Sequence, residues 1–347
     1  MNMHAAPAMP EKAQAVATRE PAQPWIKVLG KYRDPNRLRS STELALTVVP
    51  FALLWVAAMY SAAVGFWWGL LLIIPAAGFL LRMFMIQHDC GHGSFFASRA
   101  ADDWTGRALS VLTLTPYDYW RGAHATHHAS SGNLDDRGVG DIETLTVTEF
   151  RAASRWGQLR YRLYRNPFVM FAIGPIYVFI LKHRWPFETF RVAGKPWRST
   201  MLTNLAIAIF CAGLIWVAGL VPFLVVHLSI VVLAGAAGIW LFYVQHQFED
   251  THWASEDEWT FADSALHGSS NYILPQPLQW LTGNIGIHHI HHLSSRVPFY
   301  RLPEVLRDYP QLAQIGRITI RESLSCVKLV LWDENKRRLV TFREAMA

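Results

Sequence analysis

Two stretches of the chain contain no Asp, Glu, Lys or Arg: Leu44 to Leu81 and Ser199 to Phe248. Each is long enough for two membrane-crossing helices of about 20 residues joined by a tight turn. The pattern predicts spans at 43–62, 66–87, 199–219 and 222–247. The intervening turns are uncharged, and Trp67 and Trp68 suit a lipid–water boundary. Residues 104–121 are moderately apolar but too short and too polar to cross, so they are expected to lie along the interface. Residues 168–181 are apolar, contain Gly174-Pro175, and are flanked by Arg165, Lys182 and Arg184. Basic residues at both ends place both ends on one side, so this segment is expected to be interfacial or re-entrant. The Ala-, Pro- and Gln-rich start, 1–24, has no apolar core and reads as a disordered tail rather than a signal peptide. The remainder, 25–347, reads as one domain, with 251–347 a polar cap. Within that cap, the apolar-then-charged run Leu329 to Glu334 has the look of a docking element.

Composition sharpens this picture. Charged residues make up 17% of the 347 and hydrophobic residues 52%, against about 25% charged in soluble domains. The fold class is therefore an all-α integral membrane protein built on two transmembrane hairpins, with interfacial helices and a cytoplasmic cap. Lys27, Lys31, Arg33, Arg37 and Arg39 precede the first span and hold that end in the cytoplasm. Each hairpin goes out and back, so the C-terminus and every polar cluster fall on the same side. The net charge of +6 suits a lining that faces anionic lipid, and nucleic-acid binding does not follow from it. Cys90, Cys211 and Cys326 form no CxxC pair, so neither a disulfide framework nor an iron–sulfur cluster is expected.

The candidate chemistry lies in histidines where the chain has returned from each hairpin. His88-Asp89-Cys90-Gly91-His92 places two imidazoles one helical turn apart. His124-Ala125-Thr126-His127-His128 and His288-His289-Ile290-His291-His292 can each place three on one face. His246, at the end of the last span, can reach the same place. Nine imidazoles exceed one tetrahedral zinc and suit two metals with positions left open. Spacing alone does not name the metal, because imidazole binds iron, zinc, copper and nickel alike. His289 is off the face shared by its neighbours, and His267 stands between a supporting and a surface role. His4, His183, His227 and His252 read as solvated or hydrogen-bonded side chains. Asp89, Asp135, Asp141, Glu249 and Asp263 are candidates to orient imidazoles by accepting their second N–H.

These boxes resemble those of the membrane fatty acid desaturases, whose pattern is HxxxH, HxxHH and HxxHH beside two transmembrane hairpins. The likeness extends to Phe84 to Phe96, Asn133-Leu134-Asp135, Gln245 to Glu249 and Gly283 to His288, and covers roughly Leu46 to Phe342. It is strongest to the bacterial acyl-lipid, omega-6/delta-12-like branch. The resemblance implies a non-haem diiron enzyme in a bacterial inner membrane that uses O2 and two electrons to place a cis double bond in an acyl chain. It makes His88, His92, His124, His127, His128, His246, His288, His291 and His292 the metal ligands. Asn284, one turn before His288, matches a position that holds a metal-bound water in acyl-CoA relatives. Tyr117, Trp120 and Tyr272 are candidate walls for the acyl chain. No haem-binding HPGG segment is present, so electrons are expected from a separate donor such as a ferredoxin. A hydroxylase or ketolase of the same superfamily is the alternative chemistry. A non-catalytic histidine-rich metal transporter is the alternative class, but it would need polar ligands near the bilayer midplane.

Overall fold

The computed structural model describes residues 23–138, 140–186 and 194–347. The tail expected at 1–24 therefore lies almost wholly outside the described residues, and Gln23 already opens a short helix, Gln23–Val28. Among the described residues, four helical stretches are long and apolar enough to cross a membrane: Arg37–Ala63, Trp67–His92, Lys195–Ala218 and Leu220–His246. The first is α1 (Arg37–Ala63), started by the Asn36 side chain, which accepts from the Arg39 amide. The second is a 3-10 turn, Trp67–Leu72, running into α2 (Ile73–His92). Gly93 ends α2 one residue past His92, in the left-handed conformation (φ 68°) that glycine adopts without a Cβ penalty.

The segment expected to lie along the interface at 104–121 is two helices, α3 (Arg99–Leu112) and α4 (Tyr117–Ser130). Leu114 (φ 52°) and Pro116 break the run between them. That break lets α4 turn its histidines inward, which a single continuous helix could not do. The buried Gln87 holds the turn by donating to the Thr115 carbonyl (3.0 Å) and accepting from the Thr113 hydroxyl (2.6 Å).

Next comes α5 (Arg155–Tyr164), then two π-helical turns, Val169–Ile173 and Ile176–Leu181, which leave α5 at a 60° bend. Arg165, at the start of that stretch, donates to Gln247 Oε1 (2.8 Å) at the end of the last span. Arg184, at its end, donates to the Leu114 carbonyl and to Asn204 Oδ1 (2.6 Å). Arginines thus tie both ends of the stretch to distant parts of the chain. The second hairpin is α6 (Lys195–Ala218), Gly219 (φ 89°), a π turn Phe223–Leu228, and α7 (Ser229–His246). α6 is almost wholly exposed, whereas about half of α2 and α7 is buried against neighbouring elements.

The polar cap contains only short elements. β1 (Asn271–Ile273) pairs in parallel with β2 (Arg317–Thr319), and β3 (Leu331–Asp333) pairs antiparallel with β4 (Arg338–Val340). Between β1 and β2 lies the six-residue helix His288–Leu293. The run Leu329 to Glu334, read as a docking element, forms β3. It closes a small second core with Phe150 and Tyr161.

Candidate metal centre

Four helix ends bring the histidines together: the C-terminal turns of α2, α4 and α7, and the helix His288–Leu293. The nine imidazoles named from sequence fall into two groups. His88, His92, His124, His128 and His291 form one; His127, His246, His288 and His292 form the other. Within each group the candidate ligand atoms all lie within 4.8 Å of one another. The i, i+4 pairs stay together, while the remaining member of each HxxHH box goes to the other group. The three imidazoles of each HxxHH box therefore do not share one face as expected: consecutive helical residues are separated by roughly 100°, and His127 and His128 point to different groups.

The nitrogens are close. Nε2–Nε2 distances are 3.1 Å for His92–His124, His124–His128 and His128–His291. They are 3.0 Å for His246–His288 and 3.2 Å for His127–His292. A ring nitrogen offers one proton or one lone pair in its plane. His124 and His128 each face two neighbours, so hydrogen bonds between rings leave contacts unmatched. A shared cation satisfies all of them. With a metal–nitrogen bond of about 2.1 Å, right-angle neighbours stand about 3.0 Å apart and tetrahedral ones about 3.4 Å. The observed spacings of 3.0–3.2 Å lie within that range, so the donor sets fit a shared metal ion.

Protonation agrees. Burial, reinforced by neighbouring imidazoles, holds His124, His128, His288, His291 and His292 well below the usual histidine range. They are neutral at pH 7 and keep lone pairs available for a metal.

Three groups orient the rings from behind. Asp89 Oδ1 is 3.2 Å from His88 Nδ1, and Asp141 bonds His127 Nδ1. The Gly268 carbonyl is 3.3 Å from His246 Nδ1. A partner that accepts at Nδ1 fixes the tautomer that leaves Nε2 free. The other candidates for this role lie elsewhere. Asp135 accepts from the Glu256 amide (2.8 Å), Glu249 is exposed, and Asp263 caps the helix Phe261–His267 with Thr260. His267 is half-buried at the end of that helix. His289 is buried and faces the Leu312 carbonyl (2.9 Å), away from both groups. Asn284 takes a left-handed conformation (φ 54°), and its amide donates to the Phe299 carbonyl (3.2 Å).

A cavity of about 570 Å³ opens beneath the histidines and reaches His88, His124 and His288. It descends between α2, α7 and the π-helical stretch, past Leu81, Ala234 and Gly235. Trp120 lines it and stacks on His124, with ring centroids 4.6 Å apart. Tyr117 and Tyr272 are not among its lining residues. The Tyr117 hydroxyl donates to the Cys90 carbonyl (2.7 Å), and that of Tyr272 meets Ser323 Oγ (3.1 Å). Sequence reasoning missed Phe242, whose ring packs on His127 and His246. It also missed the Gly268 carbonyl, which has no side-chain signal. It passed over Arg82 as well, although a lone arginine inside an apolar span is a signal in its own right.

Fold and site together define an integral membrane protein that holds two clustered histidine groups over an apolar cavity, suited to binding metal. Residues 65–323 match the family model described as fatty acid desaturase, and the chain belongs to that family. It is 45% identical over 317 residues to a fatty acid desaturase of Bacillus subtilis (strain 168), covering 91% of this chain and 90% of that one. It is 26% identical to an sn-1 oleoyl-lipid 12-desaturase of Synechocystis over 64% of this chain and 63% of the relative. An sn-1 acyl-lipid omega-3 desaturase (ferredoxin) of the same organism is 29% identical over 63% of this chain and 61% of its own length.

Proposed function

We propose that this protein is a membrane acyl-lipid desaturase whose two histidine groups each hold one iron. It takes O2 and two electrons and places a cis double bond toward the methyl end of the acyl chain, in delta-12/omega-6 fashion. The observation that carries this reading is the placement of two histidine groups at the end of an apolar cavity. An unactivated methylene has neither an acidic proton nor a leaving group, so acid–base chemistry alone does not break its C–H bond. A bound iron pair supplies the oxidising power for that step.

The chain's own residues do the rest. The walls from Leu81, Ala234 and Phe242 desolvate the acyl chain and exclude water. Trp120 presses on His124 and faces the cavity, holding the substrate under the rings. Asp89, Asp141 and the Gly268 carbonyl keep three imidazoles in the ligating tautomer. An external electron donor of the ferredoxin type completes the reaction, and the metal side faces the cytoplasm.

The test is gas chromatography of membrane fatty acids from a bacterial host expressing this chain and fed saturated and monounsaturated acids. His292→Ala at matched expression is the control. A new diene absent from the variant is expected, and its position reports the site of attack. No new product from an iron-loaded protein with a competent donor overturns the reading. Hydroxylated products in its place would favour an oxygenase.

A further inference from the structure

We infer that Arg82, acting through one face of α2, sets the register between the first and third histidine boxes and is a positioning residue for the metal centre. α2 presents two working faces. His88 and His92 point into the histidine groups. Arg82, Met85 and Asp89, at spacings of three and seven residues, form the neighbouring stripe.

That stripe holds both ends of the segment that carries the third box. Asp89 Oδ2 accepts the Phe299 amide proton (2.7 Å), just past the box. Met85 packs on Gly283, just before it; a Cβ on Gly283 would stand 2.8 Å from the Met85 Cβ, so only glycine fits there (φ 60°). Arg82 Nη1 donates to the Trp280 carbonyl, at the head of the same segment. Its guanidinium lies 3.9 Å from the Trp280 ring centroid and 5.1 Å from that of Phe299. Phe299 in turn accepts from Asn284 through its carbonyl (3.2 Å), closing the loop around the box.

The other side of Arg82 is anchored in the first span. Nη2 pairs with Glu43, and Nε donates to Thr47 Oγ1 (3.1 Å). Glu43 also pairs with Arg39 (2.8 Å). Arg82 and Glu43 are both buried, at 0% and 2% exposure. A buried ion pair adds little net stability compared with apolar packing, and its best-attested use is to fix register. The guanidinium suits that use because its donors leave in fixed, coplanar directions. Here they reach α1, α2's own neighbour, and the lead into the third box at once. The consequence falls on His88 and His291, one from each gripped box, whose rings stand 4.5 Å apart in the five-histidine group.

This inference rests on the two-metal reading above, and the experiment separates the two. The metal-stripped full chain in detergent is titrated with cobalt(II), following visible absorption and metal per chain, alongside thermal unfolding. The wild type is expected to bind two. Glu43→Gln with Arg82→Met removes both buried charges together. It is expected to unfold near the wild-type temperature yet to bind cobalt about 10–100-fold more weakly at one site, with an altered spectrum. Arg82→Lys keeps the charge without the fork and is expected to fold normally while keeping the altered spectrum. Thr47→Val, which removes the bond from Arg82 and the hydroxyl's own bond to the Glu43 carbonyl but no charge, is expected to weaken that site a few-fold, and it decides the matter if the double variant does not fold. A wild type that binds no cobalt overturns the metal reading and this inference with it. Two sites in the wild type, with affinity and spectrum unchanged in the variants, overturn this inference alone.

Discussion

The two histidine groups are built differently. All four members of the group His127, His246, His288 and His292 are buried, and two of them are tied from behind by Asp141 and Gly268. In the five-member group, His92 and His124 are only partly buried, and Asp89 ties one ring. Two Nδ1 atoms of this group, those of His128 and His291, are buried without a hydrogen-bond partner among the described residues, against one, that of His288, in the four-member group. One group is thus closed and pre-oriented, and the other is more open and looser. The looser group has one more histidine. The difference teaches that boxes of the same HxxHH pattern do not make equivalent sites, because each box is divided between the two groups.

The largest effect expected from this contrast is the loss of a ligand. His292→Ala takes one of four from the closed group and should abolish product and leave one metal per chain. His92→Ala takes one of five and should retain close to two metals with weaker binding, measured by metal analysis after dialysis. Equal metal loss in both variants would erase the contrast. Next, Asp141→Asn frees the His127 ring and should lower metal affinity or activity about 10–100-fold. Asp89→Asn should act in the same direction on the open group.

Trp120→Ala leaves both donor sets in place but removes the ring stacked on His124. It should lower turnover about tenfold with both metals retained, read by comparing product yield with metal content.

Acidification comes next. His124, His128, His288, His291 and His292 have folded-state pKa values pushed down by burial. Unfolded histidines take up protons below about pH 6.5, where the folded ones do not. The unfolded chain then binds more protons, so stability falls as pH drops through that value and is unaffected above it. Thermal unfolding between pH 7.5 and 5 should show the midpoint falling, with metal released in parallel. The smallest effect is remote from the site. Thr146 caps the helix Val147–Ala152 in a reciprocal box with Glu149, and Thr146→Ala should cost about 1 kcal/mol with metal content unchanged.

Much of this was legible from sequence. The uncharged runs set the four long apolar helices because a bilayer allows only helices of that length and composition. The i, i+4 spacing placed His88 with His92 and His124 with His128, because helix geometry alone determines that contact. What sequence could not resolve depends on contacts between distant elements. The break at Leu114 and Pro116 looked like a continuous interfacial segment, because moderate hydropathy conceals a turn stabilised by Gln87 from another helix. Asp135, Asp263 and Asp141 were indistinguishable as nearby acids, and only the folded chain puts Asp141 against an imidazole.

By itself, then, the sequence determined that this is a helical membrane protein with three spaced histidine boxes and a further imidazole at the end of its last apolar helix, because periodicity and apolar length are local properties of the chain. Only the tertiary structure decided which imidazoles share a centre, which acid orients which ring, and that a buried arginine six residues before His88 reaches the third box. Those outcomes depend on how helices from distant parts of the chain are rotated and offset against one another, and no local pattern encodes that angle.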